Sequence, residues 1–516
     1  MNYWNRIIHK IRKGGIELKE ILIGQTIQRI TDHPKIGVEG SEMRRIESNF
    51  KYYKGMFPDI EYMNSLGKKV KRPYFTLNMS EIVSRYIAGL VFNEQCKIYI
   101  DNQNESMKEY NENEANKFIQ KVFTDNNFKD VFSEKLEAMF ATGGLAVRPY
   151  VDNGRIEFSW CLADTFLPLE SNTNSISEAC ITNVTTVSTG KKTNYYTLLE
   201  FHEWKDNDYI IRHELYWSQR KDEVGKRIKL TDLDVYAGLP EEITIKNLTR
   251  PLFTHLKPHG FNNINPRSPL GLSVVDNAKP TLNVINETFD AFHWEIKQGK
   301  RKVIVSDHFL LTKFDNDGNP IQYFDEETDV FVGLPAGIDD MSKQDITSDI
   351  RAGQYIESIN KFIATLEMQT GISSGTFTFD GKSIKTATEI VSEKSETYRT
   401  RNLHLNKVEG FLKGLIISVF EIAKVYNLYN GDIPSEEEIG IDFDDGVFTD
   451  KNAQLDFLSK AKQSEMIPAK EASKRLFNLT DEQAKAWIDE INRERFEASQ
   501  DYYDRLNDQR QFGDEE

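Results

Sequence analysis

Apolar residues change their period several times along the chain, and these changes divide it into segments. Met79, Ile82, Val83, Tyr86, Ile87 and Leu90 recur at three- and four-residue spacing, which predicts a helix. Asn78 stands just before it, and its short polar side chain predicts a cap for the first free N–H groups. The helical period continues over residues 112–140 around Phe118, Val122, Phe123, Phe132, Leu136 and Met139, so residues 1–140 read as mainly helical. Trp4, Ile7, Ile8 and Ile11 add an amphipathic helical pattern that Gly14-Gly15 interrupts.

After Gly143-Gly144 the period shortens to two, and residues 145–217 read as strands. Residues 145–151 and 155–160 predict a hairpin turning at Asp152-Asn153-Gly154. Pro149 cannot donate to a ladder, which predicts an edge at that point of the first strand. Residues 195–201 and 209–216 predict a second pair, turning at Asp206-Asn207-Asp208. Residues 218–270 are charged and then rich in Pro and Asn, and 261–270 (FNNINPRSPL) read as a loop.

Long helical patterns follow. The first covers residues 273–298 through Val274, Val275, Ala278, Leu282, Ile285, Phe289, Phe292 and Ile296. Pro280 predicts either a kink or a start within it. Residues 300–345 change character, with short strands at 303–305 and 330–332 and a turn at 315–318. A second helix is predicted over 346–370 and a third over 383–429, joined by a link with three glycines at 371–381. Shorter helices follow from 453, and the acidic C-terminus predicts a frayed end. No internal repeat or low-complexity tract is present.

Composition narrows the class. The 516 residues exceed one compact core and predict roughly two to four structural units. The 31 Phe and 21 Tyr exclude wholesale disorder. Net charge is −16, against the clustered bases that a tight DNA clamp needs to displace counterions. A passage whose wall repels phosphate remains compatible. Cys96, Cys161 and Cys180 are odd in number and lack CxxC spacing, which predicts free, buried thiols in a reducing compartment. No signal-peptide core or membrane-length apolar run occurs; the longest apolar patch, 411–426, is broken by Lys413, Glu421 and Lys424.

Candidate chemistry is sparse. Residues 375–383 (GTFTFDGKS) end like a phosphate-binding loop, but five residues separate Gly375 from Gly381 where the motif has four, and a helix precedes them where a strand is required. A loop between helices is the better reading. His202-Glu203 and His213-Glu214 lie in strand-like segments, where alternation sends each His and its neighbouring Glu to opposite faces; ordinary histidines are favoured over metal ligands. Asp442, Asp444 and Asp445 cluster carboxylates without EF-hand spacing, so an acidic turn is favoured over an ion site. Two basic runs stand out: Lys68, Lys69, Lys71 and Arg72; and Lys297, Lys300, Arg301 and Lys302. Solvated surface is the plain reading of each, and contact with phosphate or an acidic partner the alternative.

Five blocks then converge on one family. They are residues 78–94 (NMSEIVSRYIAGLVFNE), 277–310 (NAKPTLNVINETFDAFHWEIKQGKRKVIVSDHFL), 324–334 (FDEETDVFVGL), 371–394 (GISSGTFTFDGKSIKTATEIVSEK) and 441–450 (IDFDDGVFTD). In order and spacing they resemble portal proteins of tailed bacteriophages, in particular long-tailed phages of Gram-positive bacteria. The resemblance spans nearly the whole chain. It implies an α+β portal fold, with a mixed wing (1–270), a stem helix (271–298), a small β-containing clip (299–345), a second stem helix (346–370), a tunnel loop (371–383), a wing or tunnel helix (384–430), and a helical crown with the C-terminal tail (431–516).

By that resemblance the chain forms a ring, commonly a dodecamer, at one capsid vertex of the virion, after assembly in the host cytoplasm. It would pass double-stranded DNA without reading sequence. Expected partners are terminase, a head-completion or adaptor protein, and capsid and scaffolding proteins; no membrane, cofactor or catalytic residue is expected. Ser374, Gly375, Thr376, Gly381, Lys382 and Lys385 would lie beside DNA, and Lys300, Arg301, Lys302, Asp315 and Asp317 would face partners. Lys382 and Lys385, repeated round a ring, would touch the backbone without reading sequence. The competing readings are another oligomeric head-tail connector and a nucleotide-dependent motor enzyme.

Overall fold

The computed structural model describes residues 26–63, 67–93, 95–100, 113–171, 175–190, 192–299, 303–304, 311–314, 318, 320–323, 344–345, 349–378, 395–443, 451–464, 466–477, 484–493 and 496. The amphipathic pattern at Trp4–Ile11 lies outside them. The chain divides into two compact units. One comprises Met1–Asp380 and Arg401–Ile441, the other Gly381–Thr400 and Asp442–Glu516.

The first unit opens with β1 (Thr26–Ile27), α1 (Gly40–Lys54), a short hairpin of β2 (Ile60–Met63) and β3 (Lys69–Arg72), α2 (Met79–Val91), β4 (Lys97–Ile100), α3 (Glu114–Asp125) and α4 (Phe128–Thr142). This region holds more strand than its periodicity predicts. The helical pattern over 112–140 is also two helices. Asn127 takes a left-handed φ of 46°, and the Asn126 amide donates to Val122 O and Ile156 O, so the chain turns there. Asn78 does occupy the cap position of α2, but in left-handed conformation; its amide donates to Tyr53 O and its side chain makes no cap hydrogen bond.

Next come β5 (Leu145–Asp152), β6 (Arg155–Leu162), β7 (Phe166–Ser171), β8 (Ile176–Thr189), β9 (Lys192–Lys205), β10 (Asp208–Ser218), β11 (Gly225–Ile228), β12 (Glu242–Ile245) and β13 (Thr254–Leu256). Asn153 and Gly154 both have positive φ, the backbone that a two-residue hairpin turn requires. β5 lies between β13 and β6, so it is not an edge strand. Its pairing with β13 stops at Val147, however, and Pro149 sits beyond that ladder. The larger sheet runs β1-β11-β10-β9-β8-β7, with β12 beside β10. Its long strands bury both faces. Leu199, Phe201, Tyr216 and Cys180 pack under Ile27 and Ile36, while Leu198 and Leu215 pack against Leu230 and Tyr236.

Gly143 follows α4 with φ +99°, and a Cβ there would stand 2.7 Å from Gly271 O. A Cβ on Gly271 would stand 2.5 Å from Gly143 O. Two bare backbones thus meet where the sheet region hands over to the next helix, and neither position accepts a side chain.

That helix is α5 (Lys279–Gln298), followed by β14 (Val303–Ile304), β15 (Leu311–Phe314), β16 (Pro320–Tyr323), β17 (Gln344–Asp345), α6 (Ala352–Thr370), α7 (Ser395–Val425) and β18 (Ile439–Asp442). The alternative at Pro280 resolves as a start, since Pro280 occupies the first turn of α5. Helix α6 begins later than its periodicity predicts, because residues 349–351 are not helical. The described part of the third long helix covers Ser395–Val425. Over 408–423 it is apolar nearly all round; Phe411 stacks on Phe132 of α4, and Phe420 lies tilted against Phe118 of α3. It is therefore a core helix.

In the second unit, α8 (Lys451–Gln463) packs on α9 (Ala469–Phe477), and residues 484–493 form a further helical segment. All three cysteines are free and buried, and burial pushes the Cys161 thiol up to about 12. Among the described residues no helix is long and apolar enough to cross a membrane.

Candidate functional site

Helices α5 and α6 run side by side with a small insert between them in sequence. Phe292 stacks on Tyr355 at 5.2 Å, and Glu295 takes a two-pronged ion pair from Arg351, at 2.7 and 3.2 Å. Moving backward along α5 from Glu295 to Phe292 pairs with moving forward along α6 from Arg351 to Tyr355, so the helices are antiparallel. Arg351 also donates its backbone N–H to Glu295, and these bonds hold the Glu295 carboxyl down to about 2. The chain therefore leaves and re-enters through one pinned end of the pair. Beyond it, β14 pairs with β17 antiparallel and β15 with β16 as a hairpin, so the ends of the insert are zipped together.

The start of α5 is anchored by a buried ionic network. Asp276, just before the helix, accepts from Arg45 of α1 at 2.7 Å, from Asn49 at 3.1 Å and from the Ser273 N–H at 2.8 Å, and pairs with Lys279 at 2.8 Å. Arg45 reaches Glu42 as well, at 2.9 Å. Burial works against the charge of Arg45, but its bond to Glu42 and the charges of Asp276 and Glu42 hold its pKa above the ordinary value. Midway along α5, Asp290 accepts both prongs of Arg72 at 2.6 Å and the Phe75 N–H at 3.1 Å. The Arg72 guanidinium also lies 4.6 Å from the Trp294 ring. The β2–β3 hairpin is thereby fastened to α5.

At its other end α6 stops in a clasped turn. Gly371 takes φ +70°, and the Ile372 N–H closes on Glu367 O at 2.8 Å. The Glu367 side chain is fully buried and accepts the N–H groups of Gly375 at 2.7 Å and Phe377 at 2.6 Å. The Phe377 ring meets Tyr86 of α2 edge-on at 5.2 Å, and the Tyr86 hydroxyl bonds Thr376.

The structure places the predicted site residues unevenly. Ser374 and Gly375 are exposed on the clasped turn, while Thr376 is partly buried and donates to Ser373 O at 2.6 Å. Gly381, Lys382 and Lys385 lie outside the described residues, as do Lys300, Arg301, Lys302, Asp315 and Asp317. Lys297 is exposed near the end of α5. Asp442 is exposed at the end of β18; Asp444 and Asp445 lie outside the described residues. No cluster of potential metal ligands occurs among the described residues. In the basic run before α2, Arg72 binds the buried Asp290, while the exposed Lys69 and Lys71 share Glu61.

The two His-Glu pairs part to opposite faces, as alternation requires, yet the histidines join a buried cluster that spacing does not reveal. Glu200 meets His202 at 2.6 Å, His213 at 3.3 Å and Arg148 at 2.9 Å, and His202 meets the Tyr209 hydroxyl at 2.8 Å. Burial opposes ionisation of Glu200, but Arg148 and the imidazoles outweigh it and hold the carboxyl well below its usual range. Glu200, His202 and His213 are all buried within the sheet. The cluster ties β5 to β9 and β10.

Comparison with known families gives one match. A family model described as phage portal protein, SPP1 Gp6-like, matches residues 32–497. The match covers most of the chain, which therefore belongs to the phage portal protein family, a family of structural phage-head components that serve DNA packaging. No curated protein matches the chain.

Proposed function

From the premise that the chain is a phage portal protein, we propose that it assembles as a dodecameric ring whose channel passes double-stranded DNA during packaging and ejection. The observation that carries this reading is the antiparallel α5–α6 pair, pinned at one end by Glu295–Arg351 and clasped at the other by Glu367. In this reading α5 and α6 are the stem, and residues 299–345 are the clip that docks terminase and later the head-completion protein. Residues 371–383 are the tunnel loop, and 431–516 form the crown and tail. Capsid and scaffolding proteins contact the ring from outside, and ATP turnover belongs to the terminase.

The charge supports the passage mechanism. A net charge of −16 per subunit leaves few cations to hold a moving duplex, and each trapped phosphate would act as a brake. Lys382 and Lys385 would touch the backbone without reading sequence.

Native mass spectrometry with negative-stain imaging tests the assembly. Closed rings of about a dozen subunits with a central hole are expected. A compact dimer with ATPase activity of its own would overturn the reading.

A further inference from the structure

A cavity of about 260 Å³ opens in the first unit, between the 250–257 segment that carries β13 and the face of α7. Gly410 and Gly414 of α7, one turn apart, both line it. A Cβ on Gly410 would meet nothing within 4 Å, so that position opens onto the space, whereas one on Gly414 would stand 3.3 Å from Thr254 Cγ2 and 3.6 Å from Arg250 Nη1, so Gly414 lets β13 approach the helix. Each glycine costs a helix interior about 1 kcal/mol relative to alanine, so the void is maintained against helix propensity.

The lining is rich in donors and poor in acceptors. It includes Arg250, Lys257 and His255 and contains no carboxylate. Arg250 gives one nitrogen to the exposed Glu436 at 3.1 Å, but its Nε is buried without a partner. Lys257 spends one proton on Pro269 O at 2.9 Å, leaving two uncommitted among the described residues. Burial, and to a lesser degree the charge of Lys407, lower the pKa of Lys257. The buried, unpartnered Nε of Arg250 calls for an acceptor.

We propose that this cavity binds a small oxyanion of the phosphate class, held by Arg250 and Lys257, with the neutral His255 beside it, in the space onto which Gly410 opens. The volume falls below that of drug-sized ligand pockets, which suits one phosphate group with a short appendage and excludes a whole nucleic-acid strand. The bound anion ties the β13 segment to the core helix. The site lies apart from the helix pair and does not depend on the conduit reading.

The test is calorimetric titration of the full-length protein with inorganic phosphate against sodium chloride at matched ionic strength. Saturable binding is expected, weakened at least tenfold in Arg250→Gln and abolished in Gly410→Met, which fills the space without changing charge. Competition by a nucleoside monophosphate assigns the group to a phosphomonoester; its failure assigns it to the free ion, and both outcomes retain the site. Heat that scales with salt and never saturates, or equal binding by Arg250→Gln, overturns the proposal. Should Gly410→Met not fold, Arg250→Gln and Lys257→Gln carry the test, with circular dichroism as the folding control.

Discussion

Replacing Glu367 by Gln tests how the turn after α6 is held. The carboxylate is fully buried and accepts two short bonds from backbone N–H groups, at 2.7 Å from Gly375 and 2.6 Å from Phe377. A hydrogen bond to a charged acceptor contributes about 1.5–3 kcal/mol. Glutamine keeps one oxygen, so one bond survives in weaker neutral form. Its NH₂ group then faces the other N–H, leaving a buried donor opposed by a donor. The net loss should be about 2–4 kcal/mol, local to residues 371–378. Because that loss falls on local opening rather than global unfolding, hydrogen exchange reads it directly. At about 1.4 kcal/mol per tenfold, exchange of the Gly375 and Phe377 amides should quicken roughly 30- to 900-fold, while the middle of α6 stays protected. Tyr86→Phe removes only the hydroxyl bond to Thr376 and keeps the ring contact, so a smaller change of about tenfold or less is expected there. Unchanged exchange at both amides in Glu367→Gln, or an equal rise along all of α6, would refute the clasp.

Two further outcomes follow from the geometry. Arg72→Ala strands the largely buried Asp290 carboxylate and should destabilise the first unit by about 3–5 kcal/mol; Arg72→Lys keeps the charge but not the fork and should fall between, as read from urea unfolding midpoints. His404 is buried and accepts the His259 N–H on Nδ1 at 3.1 Å, and burial, then the charge of His259, lower it to about 4. The unfolded chain then takes up the proton first, so the contribution of His404 is whole above pH 6.5 and fades as pH falls toward 4, by roughly 3 kcal/mol in total. His404→Gln should flatten that part of the acid loss in unfolding midpoints between pH 7 and 4.5; an unchanged slope would count against it.

What periodicity made legible was the host element, and what it hid was the distant partner. The α2 helix, the start of α5 and the turns at Asn153-Gly154 and Asp206-Asn207 all depend on residues within a few positions of one another. The β2–β3 hairpin was missed because its four-residue strands alternate charged side chains at the surface, and its fastening to Asp290 lies 218 residues away. β4 was missed for the same reason, since its partner is β18 near the other end of the chain. The split between α3 and α4 does have a local signal, the stop dipeptide Asn126-Asn127, but apolar residues continue the helical period on both sides of it.

The buried charges carry this furthest. Glu367 shares a helical face with Ile359, Ile363 and Thr370, all buried, so an ionisable group stands among apolar positions in plain sequence. Glu421 does the same beside Phe420 and Ile422 and accepts from the Thr249 N–H and hydroxyl. A charge on an apolar face must find donors or lose its charge, since leaving it bare costs several kcal/mol. The sequence therefore announces that a partner exists, while chain topology alone decides which. For Glu367 the donors are backbone groups of the very turn that follows its helix, so no side chain, and no spacing of side chains, could have signalled them. That difference separates the two carboxylates in what they hold. Glu421 joins its helix to a strand-rich region 172 residues earlier, and so fixes the fold. Glu367 fixes only how the chain departs from α6, which is where the conduit reading places the loop nearest to DNA.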